Sequence, residues 1–275
     1  MRERLGQLVA AVSPPILSTF MARRLKRTGY FGDFHDWQVA RGTSTGYQAG
    51  EILKKVRDAL LQVKSGDAVY ERDSVLFDEV QYAWPLLAGL LWIASRSGNC
   101  LNVLDFGGSL GSSYFQNRQF MSHLAQVQWS ILEQEDFVRC GQSYFEDDVL
   151  KFFTSVEECV GMRSPDTLLL SSVLPYLESP YQVLDGLLSQ KPAYVIIDRT
   201  PFLAGARDRL TVQKVPAEIY GGSYPAWFFS KSAFLQVMQR DYLLIAEFDA
   251  LAGVIDLGDE LAEDKGFIFV RRDRS

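Results

Sequence analysis

The spacing of apolar residues changes near residue 98 of this 275-residue chain. Residues 48–64 place apolar side chains at helical spacing, with charged residues on the other faces, and predict an amphipathic helix. Residues 75–96 predict a second, more buried helix, which Pro85 would either kink or divide in two. From residue 101 onward, short apolar runs alternate with helical stretches, which is typical of a mostly parallel sheet flanked by helices.

Seven strands are predicted in this second part of the chain. They cover residues 102–106, 127–132, 150–153, 167–171, 194–198, 243–249 and 266–270. A polar, acidic connection joins the last two strands and lacks the apolar periodicity of a crossover helix, so these strands predict an antiparallel hairpin. We therefore predict an α/β fold with a Rossmann-like, mostly parallel sheet and a C-terminal antiparallel hairpin. An N-terminal helical extension (residues 1–97) would pack as a lid on this domain (residues 98–275).

The composition is that of a globular protein with a sizeable core, since 47% of the residues are hydrophobic and 23% are charged. A formal net charge of −6 disfavours a general nucleic-acid binder, which usually carries a basic surplus. Cys100, Cys140 and Cys159 are far apart and form no CxxC pair, so neither a disulfide framework nor a zinc site is indicated. We expect reduced thiols, a cytoplasmic setting and no metal.

The first 27 residues combine a short apolar stretch with basic residues on both sides. Pro14 and Pro15 interrupt the stretch, which is too broken for a secretory signal or a membrane span. Two interpretations stay open for this segment. It either contacts anionic lipid peripherally, at the inner face of a membrane, or forms a pair of surface helices packed on the domain.

A glycine-rich turn follows the predicted strand over residues 102–106 directly. Such a strand–turn–helix junction directs backbone N–H groups toward a ligand above the sheet. Gly107, Gly108 and Gly111 give the turn the room and the backbone conformations it needs. The spacing is not the dinucleotide pattern GxGxxG but DxGxGxG starting at Asp105, with Ser109 in place of the middle glycine.

An acidic residue, Glu133, follows the next predicted strand, about twenty residues after the turn. A carboxylate at such a position accepts hydrogen bonds from both hydroxyls of a ribose without a charge conflict. Taken alone, Glu133 could equally be a solvated strand end. Together with the glycine turn, it predicts a nucleoside-binding site.

The nucleoside-site residues carry a resemblance to a known family. Asp105, Gly107, Gly111 and Glu133 occupy the positions of the first two motifs of class I S-adenosylmethionine-dependent methyltransferases, which this chain resembles. The resemblance implies S-adenosylmethionine as the cofactor.

A second stretch, residues 166–180 (DTLLLSSVLPYLESP), is similar to the fourth strand of that family and its following loop. This similarity implies that Ser171 and Ser172 lie beside the methyl donor. The sequence departs from the family at Pro175 and Tyr176, where histidine is common, so a histidine base at this spot is excluded.

A narrower resemblance covers residues 30–272. It is carried by the segments GYQAGEIL, YERDSVLFDE, LDFGGSLGSSYFQNR, LEQEDFV, SSVLPYLESP, IIDRTPF, LTVQKVPAEIY and SYPAWFFS. These segments resemble a family of methyltransferase-like proteins encoded among bacterial surface-polysaccharide genes. That resemblance implies a saccharide, a nucleotide sugar or a lipid-linked glycan as the acceptor.

Candidate catalytic residues are sought near the strand ends, because methyl transfer needs alignment of the acceptor and, for a hydroxyl acceptor, a base. His35 and His123 are the only histidines, and we expect both to have surface or packing roles. Asp198 and Arg199 follow a buried apolar run, and Tyr176 follows another. The Asp198–Arg199 pair would face the crevice beyond the strand ends or form an internal salt bridge.

The stretch over residues 200–230 is predicted as a long insertion that combines hinge glycines with aromatic rings. Tyr220, Tyr224 and Trp227 are candidate acceptor-binding residues, because flat aromatic rings suit sugar faces and a flexible loop can exclude water. The alternative is that these residues anchor an ordinary loop.

Two charged groups have open roles. Arg207, Arg209 and Lys214 could bind a phosphate or carboxylate of the acceptor or form a solvated surface. The acidic residues of segment 71–79 match no metal loop and predict an ion-pair network with Arg72, with gating of the ligand site as the alternative.

Three functional classes are compatible with these features. The leading one is a methyltransferase acting on a polysaccharide-related acceptor. A catalytically inactive regulator or scaffold that binds S-adenosylmethionine or S-adenosylhomocysteine is the second, favoured by the lack of an obvious base. An NAD-dependent sugar-modifying enzyme is the third, and the glycine spacing disfavours it.

Overall fold

The structure, a computed structural model, describes residues 28–46, 49–72, 75–81, 84–216 and 221–274. The basic N-terminal segment, for which membrane contact was considered, lies outside these residues. The helices are α1 (Trp37–Gly42), α2 (Ala49–Ser65), α3 (Trp84–Arg96), α4 (Ser112–Met121), α5 (Glu135–Tyr144), α6 (Val156–Arg163), α7 (Pro180–Leu188) and α8 (Lys231–Met238). The strands are β1 (Gly29–Phe34), β2 (Tyr70–Arg72), β3 (Val75–Phe77), β4 (Cys100–Phe106), β5 (Gln126–Leu132), β6 (Leu150–Phe153), β7 (Thr167–Ser171), β8 (Tyr194–Leu203), β9 (Arg209–Val215), β10 (Gly222–Ser230), β11 (Tyr242–Asp256) and β12 (Leu261–Arg271).

A mostly parallel sheet forms the centre of the fold. Its strands follow the order β6-β5-β4-β7-β8, and all four of these neighbouring pairs are parallel. Taken in chain order, this is the 3-2-1-4-5 arrangement of a Rossmann-like sheet. β12 pairs antiparallel with β8, and β11 pairs antiparallel with β12 on the outside. The predicted α/β fold, with seven strands and a C-terminal antiparallel hairpin, is confirmed.

Strand bounds agree best where a compact apolar run is flanked by polar residues. The predicted strands over residues 150–153 and 167–171 coincide with β6 and β7. β8 and β11 are longer than predicted, with 10 and 15 residues. Their outer halves continue beyond the parallel sheet, where residues 261–265 of β12 pair with both of them.

The prediction of a long loop-like insertion over residues 200–230 is wrong. These residues form the end of β8 and the antiparallel pair β9–β10. β10 continues the main sheet beside β8, and β1 from the N-terminal part pairs antiparallel with β9. This extension, β1-β9-β10, is therefore part of one ten-stranded sheet.

The N-terminal part is less helical than its apolar pattern predicted. Besides α1, α2 and α3 it contributes β1 and the small β2–β3 hairpin. Pro85 is the second residue of α3, where its missing N–H costs no helical hydrogen bond, so it neither kinks nor divides that helix.

Two apolar clusters fill the two faces of the sheet. One cluster joins α2, α3, α4 and α5 to the strands, and within it Leu60, Leu90 and Ile93 are fully buried. The other joins α6, α7 and α8 to the opposite face. Because α2 and α3 share a core with β4 and β8, they form one wall of the molecule instead of a detached extension. Among the described helices, none combines the length and the apolar character required to cross a membrane.

Candidate nucleoside site and strand-end cavity

The turn after β4 has the backbone conformation of a glycine-rich loop even at its one serine. Gly107 and Gly111 have φ values of +70° and +97°, and Ser109 has a φ of +55°. Left-handed conformations are uncommon for residues other than glycine and cost free energy. Ser109 therefore keeps the conformation of the middle glycine that it replaces, and the local shape of the DxGxGxG turn is preserved.

Asp105, in β4, forms the floor beneath this turn and is 1% exposed. Its Oδ2 accepts a hydrogen bond from Trp129 Nε1 at 3.0 Å, while its Oδ1 is buried without a partner among the described residues. Burial raises the pKa of Asp105 to about 7, an effect that the hydrogen bond from Trp129 opposes and the neighbouring Glu133 carboxylate reinforces. A Cβ atom at Gly108 would lie 2.6 Å from Asp105 Cγ, so only glycine fits above this carboxyl.

Glu133 lies directly after β5 and meets the glycine turn. Its Oε2 accepts the backbone N–H of Gln134 at 2.7 Å. Burial raises the pKa of Glu133, while backbone hydrogen bonds from Gln134 and Ser109 oppose this shift. The acidic residue and the turn, about twenty residues apart in the sequence, are neighbours in the folded chain, because the backbone N–H of Gly107 donates to the carbonyl oxygen of Leu132, the residue before Glu133, at 2.9 Å.

A polar cluster joins the end of β7 to the middle of β8, at the point where the pairing of these two strands stops. This point is called the β7–β8 end below. Ser171 Oγ donates to Asp198 Oδ2 at 2.8 Å, and Arg199 Nε donates to Ser171 Oγ at 3.3 Å. Arg199 Nε lies 3.8 Å from Asp198 Oδ2. The backbone N–H of Ser172 donates to the carbonyl oxygen of Asp198 at 3.0 Å. Ser172 and Arg199 have left-handed backbones, with φ values of +56° and +48°, at the point where both strands reach the crevice.

A small cavity lies next to this cluster, between the strand ends and the N-terminal part of the chain. Its lining residues are Tyr70, Arg72, Leu86, Ser113, Gln116, Ser171, Asp198 and Arg199. It brings together two predicted site elements, the β7 and β8 ends, with β2 and α4, which begins directly after the glycine turn. Here we call it the strand-end cavity.

The acidic segment that begins at Glu71 contacts the helix after the turn. Glu71 is 1% exposed, and its Oε2 accepts the hydroxyl of Ser112 at 2.7 Å. Gln116 Nε2 donates to the Glu71 carbonyl oxygen at 2.6 Å. Asp78 and Glu79 are exposed, and Asp73 lies outside the described residues. Among the described acidic, histidine and cysteine side chains, no group of three could hold a metal ion.

Aromatic residues of the extension line the loop after β7. The rings of Tyr176 and Tyr224 pack edge to face with centroids 5.3 Å apart, and Tyr176 Oη donates to Gln213 Oε1 at 3.0 Å. Trp227 stacks on Trp37 at 6.4 Å. Tyr176 and Tyr224 form an aromatic wall beside this loop, whereas the Trp37–Trp227 pair packs on the apolar cluster of Ala40, Leu210 and Val212. Tyr220 lies outside the described residues.

This wall connects to the glycine turn through the loop after β7. Trp227 Nε1 donates to the carbonyl oxygen of Leu177 at 3.1 Å. At the other end of the same loop, Val173 lies so close to Gly107 that a Cβ there would be 2.4 Å from it. The wall and the nucleoside-site residues therefore border one continuous region.

The remaining sequence candidates are engaged elsewhere. His35 and His123 are exposed, and His123 lies beyond the end of α4 instead of within it. Arg207 pairs with Asp33 on the surface, and Lys214 lies over the Phe31 ring.

Arg209 is buried and holds the extension together. Its Nη1 contacts Asp259 Oδ1 at 2.7 Å and Glu260 Oε1 at 3.0 Å, and its Nη2 donates to the carbonyl oxygen of Gly32 at 3.1 Å. It joins β1 to the β11–β12 turn, so its contacts are structural.

Sequence reasoning missed four residues that border the site: Tyr70, Ser113, Gln116 and Gln213. The alternation of Tyr70 and Arg72 around Glu71 is a two-residue strand period, but three residues are too few to predict a strand.

Comparison with known proteins gives structural neighbours only. No family model matches the sequence, and no curated protein matches it either. The solved structures that it resembles include the N-terminal domain of EvdMO1 with S-adenosylhomocysteine and D-fucose, at 11% identity and a TM-score of 0.48, covering 82% of this chain and 98% of that one.

Two further structural neighbours have similar scores. Magnesium protoporphyrin IX methyltransferase from Synechocystis PCC 6803 with bound S-adenosylmethionine has 15% identity and a TM-score of 0.42, covering 82% of this chain and 86% of the other. The glycopeptide N-methyltransferase MtfA with sinefungin has 12% identity and a TM-score of 0.42, covering 67% and 93%. At such identities and scores, the interpretation of this chain depends on its own fold and site geometry.

Proposed function

We propose that this chain is an S-adenosylmethionine-dependent methyltransferase that acts on a small-molecule acceptor of the saccharide class. The observation that carries the proposal is the position of Glu133 beside the glycine turn, since the backbone N–H of Gly107 donates to the carbonyl oxygen of Leu132, the residue before Glu133, at 2.9 Å. In an open α/β sheet, ligands bind beyond the carboxyl ends of the strands, where the strand order reverses. Here the order reverses at β4, which has β5 on one side and β7 on the other, and the turn follows β4 directly.

The residues at this point fit a nucleoside cofactor. A carboxylate has about four acceptor positions, so Glu133 keeps capacity for ribose hydroxyls beside its two backbone hydrogen bonds. A Cβ atom at Gly108 would collide with Asp105 beneath it, so the glycine lets the turn pack closely on the end of β4. Bound S-adenosylmethionine would supply a methyl group on a positively charged sulfur, already activated for displacement.

The chain's own residues would orient the acceptor. We assign Ser171, Asp198 and Arg199 to the reaction site, because their hydrogen-bonded cluster stands at the ends of β7 and β8 beside the cavity. Asp198 is 2% exposed and bonded to the Ser171 hydroxyl, so it first serves to position Ser171 and Arg199. Tyr176, which is half-buried and whose hydroxyl bonds Gln213, is the second candidate for contact with an acceptor hydroxyl.

The saccharide class is supported by the aromatic wall. Aromatic rings with a polar handle bind ligands that present both apolar faces and hydroxyl groups. Tyr176 and Tyr224 provide such rings, which pack edge to face with centroids 5.3 Å apart. We infer that the acceptor lies between this wall and the β7–β8 ends.

The test is calorimetric titration with S-adenosylmethionine, S-adenosylhomocysteine and, as the control ligand, NAD. We expect the first two to bind and NAD to give no signal. Glu133→Gln should weaken cofactor binding about 10-fold or more, the effect of a lost charge-assisted pair of hydrogen bonds. Glu135→Gln is the matched control, since Glu135 is exposed in the first turn of α5 and should leave affinity unchanged. Binding of NAD alone, or equal affinity for wild type and Glu133→Gln, would contradict the proposal.

A catalytically inactive cofactor-binding protein is the second candidate. It is favoured by the exposure of both histidines and by the internal hydrogen bonding of Asp198. Mass spectrometry of a panel of saccharides, nucleotide sugars and lipid-linked glycans separates the two. A methylated product supports the enzyme, and equal binding of S-adenosylmethionine and S-adenosylhomocysteine with no product supports the inactive protein.

A further inference from the structure

Two guanidinium groups converge on the strand-end cavity, from elements far apart in the chain. Arg72 comes from β2 in the N-terminal part, and Arg199 comes from β8. Burial raises the pKa of Tyr70, and the positive charges of both Arg72 and Arg199 oppose this shift. Both guanidinium groups therefore lie near the same buried hydroxyl, in a place where two like charges repel each other.

Arg72 is oriented toward the cavity by the strand that carries it. Side chains alternate between the two faces of a strand, so Tyr70 and Arg72 share one face of β2 while Glu71 occupies the other. Glu71 accordingly hydrogen-bonds Ser112, and Tyr70 and Arg72 line the cavity. The Arg72 guanidinium packs over the Phe77 ring, with its carbon 4.9 Å from the ring centroid, which fixes the plane of the group.

One nitrogen of the Arg72 guanidinium is a buried hydrogen-bond donor without an acceptor among the described residues. Its Nη1 is inaccessible to solvent and has no hydrogen-bond partner among the described residues. A buried charged donor without an acceptor is costly, and proteins rarely leave one unpaired without a functional reason. The missing partner is an acceptor, and beside two positive charges an anionic acceptor fits best.

Neutral groups complete the lining. Ser113 and Ser171 contribute hydroxyls, and Gln116 contributes an amide whose N–H already donates to the Glu71 carbonyl oxygen. The acidic residue in the lining, Asp198, is bonded to Ser171 and lies beside Arg199. The cavity is small, so it suits one terminal group of a ligand instead of a whole molecule.

We propose that the strand-end cavity binds a single carboxylate-type or phosphate-type group of a ligand, with Arg72 as the principal donor and Arg199 as the second. A planar guanidinium can bind such a group through two parallel N–H donors. The identity of that group rests on the proposed function, which allows two sources for it. One source is the amino-acid tail of the cofactor, and the other is an acidic group on the acceptor.

The experiment compares Arg72→Gln and Arg72→Lys with Arg139→Gln, an exposed arginine on α5 that serves as the control. Calorimetry measures the binding of four probes: S-adenosylhomocysteine, methylthioadenosine (the same nucleoside thioether without the amino-acid tail), inorganic phosphate and acetate. Circular dichroism checks the folding of each variant. Arg72→Lys keeps the positive charge but removes the planar pair of N–H donors. If Arg72→Gln does not fold, Arg72→Lys still tests the proposal.

Each outcome decides the proposal. If Arg72→Gln weakens S-adenosylhomocysteine binding about 10- to 100-fold and leaves methylthioadenosine within about twofold, the cavity holds the cofactor's carboxylate. If it weakens only phosphate or acetate, the cavity holds an acidic group of the acceptor. If no probe changes in folded Arg72→Gln or Arg72→Lys relative to Arg139→Gln, the proposal is overturned. If wild type binds phosphate or acetate through Arg72 and binds no S-adenosylhomocysteine, the anion site stands and the proposed function fails.

Discussion

Replacing Asp105 with asparagine should remove a pH-dependent loss of stability. Burial raises the pKa of Asp105 to about 7 in the folded chain, whereas the pKa of an aspartate in the unfolded chain is 3.8. Between these values the folded state holds a proton that the unfolded state has released, so the free energy of unfolding falls as pH rises through this window. Above pH 7 the folded state carries the full cost of a buried charge.

The size of the effect follows from the shift. A raised pKa of about 3 units corresponds to about 4 kcal/mol between pH 4 and pH 8, since one unit is worth about 1.4 kcal/mol. Asparagine cannot ionise, and its carbonyl oxygen can still accept the hydrogen bond from Trp129. The stability of Asp105→Asn relative to wild type should therefore rise by about 2–3 kcal/mol from pH 5 to pH 8, since only part of the pH window between the two pKa values is crossed.

Urea unfolding followed by tryptophan fluorescence at pH 5 and pH 8 measures this difference. Burial also raises the pKa values of Glu133, Asp166 and Asp264, but these groups are present in both proteins. Asp185→Asn is the control, because Asp185 is exposed on α7. Its replacement should change the free energy of unfolding by the same amount at pH 5 and at pH 8. If the Asp105→Asn difference is the same at both pH values within about 0.5 kcal/mol, the desolvation argument is refuted.

Three further substitutions test the turn, the extension and the aromatic wall. Gly108→Ala would place its Cβ 2.6 Å from the Asp105 carboxyl, so we expect a destabilisation of about 1–3 kcal/mol and reduced S-adenosylhomocysteine affinity by calorimetry. Arg209→Met should destabilise the chain by about 1–3 kcal/mol in urea unfolding, because Arg209 is buried and its hydrogen bonds to Asp259, Glu260 and the Gly32 carbonyl oxygen are lost. The exposed Arg207→Gln should stay within about 0.5 kcal/mol. Tyr176→Phe removes the hydrogen bond to Gln213 and should raise the KM for the acceptor while the affinity for the cofactor stays unchanged. A change in cofactor affinity would contradict a role of Tyr176 in acceptor binding.

The sequence predicted the elements whose information is local. β6 and β7 are short apolar runs bounded by polar residues, and the structure has them at the predicted residues. α2 follows from its helical spacing in the same way, with bounds of Ala49–Ser65 against a predicted 48–64. The C-terminal hairpin follows from a connection too polar for a crossover helix. In each case the residues of the element itself, with their immediate neighbours in the sequence, are enough to predict it.

The extension could not be predicted in this way. β1 pairs with β9, which lies about 180 residues further along the chain, so no local window contains both strands. β9 reads RLTVQKV, a mixture of charged and apolar residues that becomes a strand because it pairs on both sides. Aromatic rings and glycines in this stretch were therefore interpreted as loop features.

Contacts between neighbouring strand–helix units could be predicted from the sequence, whereas contacts between distant segments of the chain could not. Glu133 and the turn belong to consecutive strand–helix units, so their meeting follows from the fold class. The position of Arg72 depends on how β2 packs against α4 and the β8 end, which no spacing in the sequence encodes. The left-handed backbone of Ser109 could not be predicted from its residue type either, because serine usually avoids that conformation.

The placement of β8 also constrains the order in which the molecule can assemble. The outer half of β8 pairs with β10 on one side and with β12 on the other, and β12 is near the C-terminal end of the described chain. During synthesis, the backbone groups of Thr200–Leu203 that face β12 stay unpaired until residues 261–265 have emerged. Ribosome-bound chains that stop before residue 261 should therefore expose an unpaired strand edge, which is a site where other chains can add. Strand β8, which carries Asp198 and Arg199, is thus synthesised before β9–β12 and completed only when β12 pairs with it.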